Sequence, residues 1–343
     1  MPMLTSFNAG EFSDLMDASV DLDKHSWSVK TLKNMICLKQ GPAIRRGPSV
    51  FVKEVKTSAN RTHLLSFQFS NEDAYILEMG NLYMRVFKNY ANVVSGMSPY
   101  ELVTPYAQAD LFDSNGIFQI HSTQSGDVMY LVHGSYSPRV LTRTSDTAWS
   151  INEIVMEDGP YLDENVTTTT LAFSGTTGSV TVTASAALFA SGDVGRLIRV
   201  KHTNWSWLKI TAYTDSTHVT ATVMGAAIST SAVTTWRLGV FSPRTGWPKT
   251  VAFFQDRVFM GGCSSYPDFW ALSKTGGYSS TTITFQPSDA TGTVADDNSV
   301  VGFLPSREVN SIRWATSDSR GLVVGTSRDE FVIRASSLGE SIT

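Results

Sequence analysis

From residue 74 onward, hydrophobic and polar positions repeat a pattern: an apolar run, a glycine-marked turn, and a second run with an aromatic or branched residue. Ala74–Gly80 (Ala-Tyr-Ile-Leu-Glu-Met-Gly) is followed by Tyr83–Phe87, and Val128–Gly134 by Pro138–Leu141. Asp256–Gly262 is followed by Phe269–Leu272, and Gly321–Gly325 by Glu330–Arg334. Each pair reads as a β-hairpin. The four starts, at 74, 128, 256 and 321, are separated by 54, 128 and 65 residues. The middle gap is too long by about 80 residues, and excising 162–241 restores a unit of about 50, the period of a propeller blade. A pair of β-sandwiches is the other reading of the same pattern.

The excised segment has its own strand pattern, over 169–174, 178–184, 195–201, 207–213, 217–223 and 234–238. Phe189, Leu197, Ile198, Val200 and Ile210 are its expected core. Short strands with Gly and Asp turns predict a small β-barrel. Arg196, Arg199, Lys201, Lys209 and Arg237 stand against Asp193 and Asp215, a basic excess that suggests an acidic protein partner rather than DNA.

Residues 1–55 differ. Two short amphipathic patches, Leu15–Leu22 and Leu32–Leu38, precede Gly41-Pro42 and Arg45-Arg46-Gly47-Pro48, which forbid a long helix. An extended arm with one short helix over 28–36 is expected. The predicted fold is all-β: β-propeller-like repeats, an N-terminal extended arm, and an inserted small OB/SH3-like β-barrel. The boundaries are 1–55 for the arm, 56–161 and 242–343 for the propeller-like parts, and 162–241 for the insert.

Composition narrows the function. A net charge of −4 argues against a surface that coats nucleic acid. Two cysteines, Cys37 and Cys263, are too few for a disulfide framework or a cysteine zinc site. No apolar run reaches the 18 or so residues of a membrane span, and residues 1–14 do not read as a secretory signal.

The six histidines form no pair at metal-ligand spacing, and no nucleophile elbow, phosphate loop or dinucleotide fingerprint occurs. Glu157-Asp158 with Asp163-Glu164, and Asp296-Asp297, invite comparison with glycosidase carboxylate pairs; such runs more often mark solvated loops. Ser145-Asp-Thr-Ala-Trp149 lacks the spacing and glycine of a sialidase Asp-turn and reads as a plain turn. Trp205 and Trp207 alternate along one strand, which suits a core or subunit contact better than a base-stacking platform. The residues therefore predict no catalytic, cofactor-binding or metal site, and no enzyme.

One resemblance covers nearly the whole chain. Phe7–Ser13 (Phe-Asn-Ala-Gly-Glu-Phe-Ser), Val20–Lys24, Leu32, Asn34, Gln40-Gly41, Arg45–Pro48 and Phe51-Val52 resemble the N-terminal signature of tail nozzle proteins. These are the tail tubular protein B type components of short-tailed bacteriophages and related prophages. Further blocks follow in order: Ala74–Glu78, Ala184–Phe189 with Gly195–Ile198, Trp247-Pro248, Phe253–Arg257 with Phe259 and Gly261, Trp270 with Ser273, and Asn310–Trp314 with Gly325–Ser327. Ala18-Ser19 stands where the family has Gly-Arg, which puts an ion pair there in doubt. Family members are several hundred residues longer, so the chain is either a piece of one or a shorter nozzle.

The resemblance implies a homo-oligomeric ring, most simply a hexamer, below the portal and the adaptor (head-to-tail connector) in the virion tail. Such a ring extends the DNA channel for genome retention and ejection and is assembled in the host bacterial cytoplasm. Tail fibre or spike proteins are implied partners, and viral double-stranded DNA passes the lumen without specific binding; no membrane insertion is implied. The competing expectations are a receptor-binding adhesin or polysaccharide-binding tail module, marked by Trp205, Trp207 and Trp247 exposed in one groove, and a polysaccharide-degrading enzyme, marked by two facing carboxylates.

Overall fold

The computed structural model describes residues 6–305 and 310–335, so part of the 242–343 segment lies outside the described residues. The chain divides into two compact units between Lys53 and Glu54.

The described residues of the first unit hold only very short strands: Gly10–Glu11 runs parallel to Ser28–Val29, and Met35–Cys37 antiparallel to Ala43–Arg45. Single 3-10 turns occupy Asp14–Met16 and Asp23–Trp27. The short helix expected over 28–36 does not form. Ser28 and Val29 pair as strand, the Leu32 amide donates to the Glu11 carboxylate at 2.7 Å, and Asn34 turns the chain with a φ of 59° that no α-helix contains. Gly41 is the only buried residue described in this unit. Leu15, at 93% exposure, and Phe51, at 79%, lie open.

The second unit is built from β-sheet. Its first sheet comprises β1 (His63–Gln68), β2 (Ala74–Gly80), β3 (Tyr83–Lys88) and β4 (Glu101–Val103), in the order β4-β3-β2-β1, and a fifth, two-residue strand, Ala91–Asn92, also pairs with β3. The second runs β5 (His121–Ser125), β6 (Val128–His133), β7 (Tyr136–Ser145) and β8 (Ala148–Glu153) as an antiparallel meander. Within residues 162–241 lie β9 (Leu171–Phe173), β10 (Ser179–Ala184), β11 (Leu197–Lys201), β12 (Trp205–Tyr213), β13 (His218–Val223) and β14 (Trp236–Leu238). The third sheet is β15 (Thr250–Phe254), β16 (Arg257–Gly261), β17 (Phe269–Leu272) and β18 (Val300–Phe303), again in sequence order. The fourth has three strands, β19 (Ile312–Asp318), β20 (Gly321–Thr326) and β21 (Glu330–Ile333).

The four hairpins read from the sequence are β2–β3, β6–β7, β16–β17 and β20–β21. In every sheet they are preceded by a strand the repeat did not reveal. The β15–β16 turn shows why. Gln255 and Asp256 both take left-handed conformations, with φ of 49° and 56°, so the tight hairpin turn forms without the glycine that usually announces it.

The sheets stack through their side-chain alternation. Met129, Leu131 and Leu141 of the second sheet join a core with Phe67, Leu77, Met84 and Val86 of the first. Tyr130, Val132 and Val140, on the opposite face, pack with Val251, Val258, Met260 and Phe269 of the third. Ala252, Phe259 and Leu272 then face Ile312, Leu322 and Val324 of the fourth. A middle strand buried on both faces must be apolar at successive positions, which accounts for runs such as Val128–Val132. Along the stack β5 lies against β15, and β15 against β19.

Two cross-strand pairs show how closely the backbone is approached. A Cβ on Gly80 would fall 2.3 Å from the ring of Tyr83 opposite it, and one on Gly325 would fall 2.1 Å from the Trp314 indole. In each pair the ring lies over the peptide of the facing strand, a fit only glycine allows.

Residues 171–238 form a six-stranded sheet ordered β9-β10-β13-β12-β11-β14, whose strands pair only with one another among the described residues. Leu171 at one edge bridges Val233, just before the strand at the other edge, so the sheet curls back on itself. Its interior holds Phe189, Ile198, Val200 and Ile210 as expected, with Leu208, Val219 and Trp236. Leu197 is buried outside that cluster.

Candidate functional site

A buried set of charged and polar contacts lies at the root of the 162–241 segment. The two crossings are adjacent: Tyr161 bridges Gly239, the Val240 amide donates to the Pro160 carbonyl at 2.9 Å, and the Leu162 amide to the Leu238 carbonyl at 2.9 Å.

Alternation along β11 decides what happens there. Ile198 and Val200 point into the curled sheet, which turns Arg199 to the opposite face. Arg199 Nη2 donates to the Ser288 carbonyl at 2.9 Å and to its hydroxyl at 3.0 Å, and Nε lies 3.3 Å from Asp158 Oδ1. The Tyr161 hydroxyl donates to the same Asp158 oxygen at 2.9 Å. Burial pushes the Asp158 carboxyl above its ordinary value, against the pull of Arg199 and Tyr161, and lowers the Arg199 guanidinium.

Trp205 closes the arrangement. Arg199, Lys201 and Arg237 stand 4.8, 5.6 and 5.7 Å from its ring centre, and its amide donates to the Ala290 carbonyl at 2.6 Å. Asp289 shapes the loop that accepts this bond: its Oδ1 takes the Thr291 hydroxyl at 2.7 Å and the amides of Gly292 and Thr293 at 2.8 Å each. Those bonds, the Thr291 hydroxyl foremost, hold the Asp289 carboxyl below its ordinary value. Arg196 completes the root, donating from Nε to the Gly239 carbonyl at 2.7 Å and from Nη1 to buried Asp193 at 2.9 Å; Arg244 reaches the other Asp193 oxygen at 2.9 Å.

The basic face expected to meet an acidic partner is therefore mostly consumed inside the chain. Arg196 and Arg199 are buried at 4% and 3% exposure, and Arg237 pairs with Glu164 at 3.7 Å. With Asp163 and Glu164 included, 162–241 carries five basic against four acidic groups, a net +1, leaving −5 elsewhere. The excess that suggested a partner is not there. Trp205 is 9% exposed and Trp207 half-buried, so the three tryptophans do not form one exposed groove. Trp247 does line a cleft of about 330 Å³ between the second sheet and the curled sheet, together with Phe241, Glu153 and Lys209.

The acidic runs are dispersed among separate contacts. Glu157 accepts from the Thr284 hydroxyl at 3.0 Å, Asp297 pairs with Lys274 at 3.1 Å, and the Asp296 carbonyl accepts from Arg257 at 2.7 Å. Asp146, in the turn before Trp149, ties the first two sheets together: the Tyr75 hydroxyl donates to it, and Lys88 Nζ sits 3.1 Å away while also bonding Asp73 at 2.6 Å. Among the described residues no group of three or more His, Cys, Asp or Glu side chains is placed to hold a metal ion.

Arg257 is the polar core residue the sequence reading missed. It is 1% exposed, and its Nη1 donates to the carbonyls of Ser273 at 2.9 Å and Asn298 at 2.5 Å. Its signal was present in the Phe253–Arg257 block, where an arginine follows a turn and opens an apolar strand.

No family model and no curated protein matches the chain. No helix among the described residues is long and apolar enough to cross a membrane.

Proposed function

We propose that this chain is a structural subunit of a bacteriophage tail, forming a nozzle ring that extends the DNA channel below the portal and adaptor. The observation that carries the reading is the set of seven separated sequence blocks that occur in the order of the nozzle family. In support, residues from those blocks serve the scaffold. Arg257 ties three carbonyls, Arg196 anchors the root of the curled sheet, and Trp314 packs over Gly325.

The same reading arranges the four sheets as propeller blades, with β5, β15 and β19 as inner strands, and takes the curled sheet as a small OB/SH3-like barrel inserted between the second and third blades. A net charge of −4 suits a conduit for a polyanion, because many Lys and Arg contacts to phosphate would hold the DNA rather than let it pass. The first unit, with its apolar residues exposed, serves as the arm that joins neighbours. The subunit has no hydrolytic activity of its own in this reading; adaptor and fibre or spike proteins are its partners.

Mass photometry and negative-stain imaging of the purified chain or of isolated tails test this. A ring with a central hole, most simply sixfold, is the expected result; a subunit docked without rotational copies would overturn it. Loss of polysaccharide turnover on changing Asp296 or Asp297 to Asn would overturn the non-enzymatic part.

A further inference from the structure

The first unit sorts its charges by position. Its five acidic residues all lie between Glu11 and Asp23, and its seven basic residues all lie between Lys24 and Lys53. Every one of them is exposed. Lys30 with Asp17, at 2.7 Å, is the single ion pair this unit holds among the described residues. The remaining charge of both halves faces solvent.

Each half also shows apolar side chains to water. In the hairpin of Met35–Cys37 and Ala43–Arg45, Ile36 stands opposite Ile44, so the two share one face of the ribbon, at 51% and 46% exposure. A two-stranded ribbon is marginal in water unless such a face is covered. Lys33, Lys39, Arg45 and Arg46 surround this pair along the chain. In the acidic half, Leu15 is 93% and Val20 74% exposed, set among Asp14, Asp17 and Asp21. The Ser13 hydroxyl accepts the Leu15 amide at 3.3 Å, which fixes Leu15 in the 3-10 turn Asp14–Met16. Phosphate groups would satisfy the basic residues of the hairpin but leave its aliphatic pair in water. The acidic half of another copy satisfies both.

We propose that the Asp14–Asp23 stretch of one copy seats on the Met35–Arg45 hairpin of the next copy. Leu15 and Val20 cover Ile36 and Ile44, while the carboxylates around them meet Lys39, Arg45 and Arg46. The two surfaces differ, so the contact is head-to-tail and leaves one surface of each kind free until a ring closes. Charge complementarity sets the register and rejects the pairing of like halves. The proposal rests on the ring reading and names the contact that closes it.

Charge reversal with co-assembly tests it. Asp14→Lys/Asp21→Lys subunits carry two basic surfaces, and Lys39→Glu/Arg45→Glu subunits two acidic ones. These four positions are exposed and make no ion pair among the described residues, so both variants should melt like the unaltered chain. Each variant alone should lose ring yield by about tenfold or more, because like charges are set together. An equal mixture should recover rings of alternating composition. In rings built from isotope-labelled and unlabelled unaltered chains, zero-length carbodiimide coupling should join the acidic stretch to Lys39 with mixed labels. Full ring yield from either variant alone, or no recovery in the mixture, would overturn the proposal and leave the ring reading standing. Cross-links confined to one copy would do the same, since the chain's own acidic half would then cover the hairpin. Intact Lys39→Glu/Arg45→Glu rings that lose the binding of duplex DNA shown by unaltered rings would assign the hairpin to nucleic acid instead. If the unaltered chain assembles no ring under any condition, the ring reading fails and this contact fails with it.

Discussion

Arg199 Nε lies 3.3 Å from Asp158 Oδ1, one residue on the curled sheet and the other just ahead of the crossing that leads into it. Both side chains are nearly buried, and Asp158 holds its position in a left-handed conformation with a φ of 43°. The pair, with Tyr161 and Ser288, makes the curled sheet's root a fixed joint.

Removing one member of this pair should therefore cost far more than a surface ion pair. Arg199→Met is expected to destabilise the chain by about 3–5 kcal/mol, because Asp158 loses its guanidinium partner in a buried site. Adding Asp158→Asn should recover part of the loss. Urea melts of the two single variants and the double variant check this, and additive losses would contradict it.

The glycine–aromatic pairs should rank in a definite order. Gly80→Ala is expected to cost more than Gly325→Ala, each within about 1–3 kcal/mol. Tyr83 is 4% exposed and its hydroxyl donates to Glu78 at 2.5 Å, so it has nowhere to move; Trp314 is 39% exposed and can swing outward. Thermal melts give the order, and a red-shifted tryptophan emission in Gly325→Ala reports the displaced indole.

Acidification should weaken the fold through histidine. His133 accepts the Ser135 amide on Nδ1 at 3.1 Å, so its Nε2 carries the proton and donates to the Asp110 carbonyl at 2.8 Å. Both bonds suit the neutral ring, and burial lowers the values of His63, His121 and His133. A group depressed in the folded state binds fewer protons there than in the unfolded chain. Its contribution is present above the unfolded value of about 6.5 and is lost as pH falls toward the folded one. Stability measured from pH 7 to 5 should decline, and less steeply in His133→Gln; a flat profile would contradict the assignment.

Arg257 offers a last check on the interior. Replacing it with Met removes the donor to the carbonyls of Ser273, Asn298 and Asp296 and should cost about 3 kcal/mol or more, since bonds to a charged group are each worth about 1.5–3. Hydrogen exchange should show the loop around Asp296–Asn298 opening first.

The hairpins were legible because apolar runs and turns are local properties: Val128–Val132 cannot be that apolar unless both faces are covered. The curled sheet was legible for a related reason, since its core positions alternate with period two and its removal restores the repeat. First strands such as β15 were hidden, because Gln255 and Asp256 adopt a turn conformation their types do not advertise. The charge on β11 misled for a physical reason. Sequence counts charges but does not say which are buried, and Arg196 and Arg199 find their counterions at Asp193 and Asp158.

What the sequence alone determined is the all-β class, the position of the curled sheet and its hydrophobic interior, each written in short-range alternation. Tertiary structure alone decided which charges neutralise one another and that Trp205 is sealed beneath the Asp289 loop. Those outcomes depend on residues far apart in the chain meeting in space, as Arg199 meets Ser288, and no local pattern encodes the distance between them.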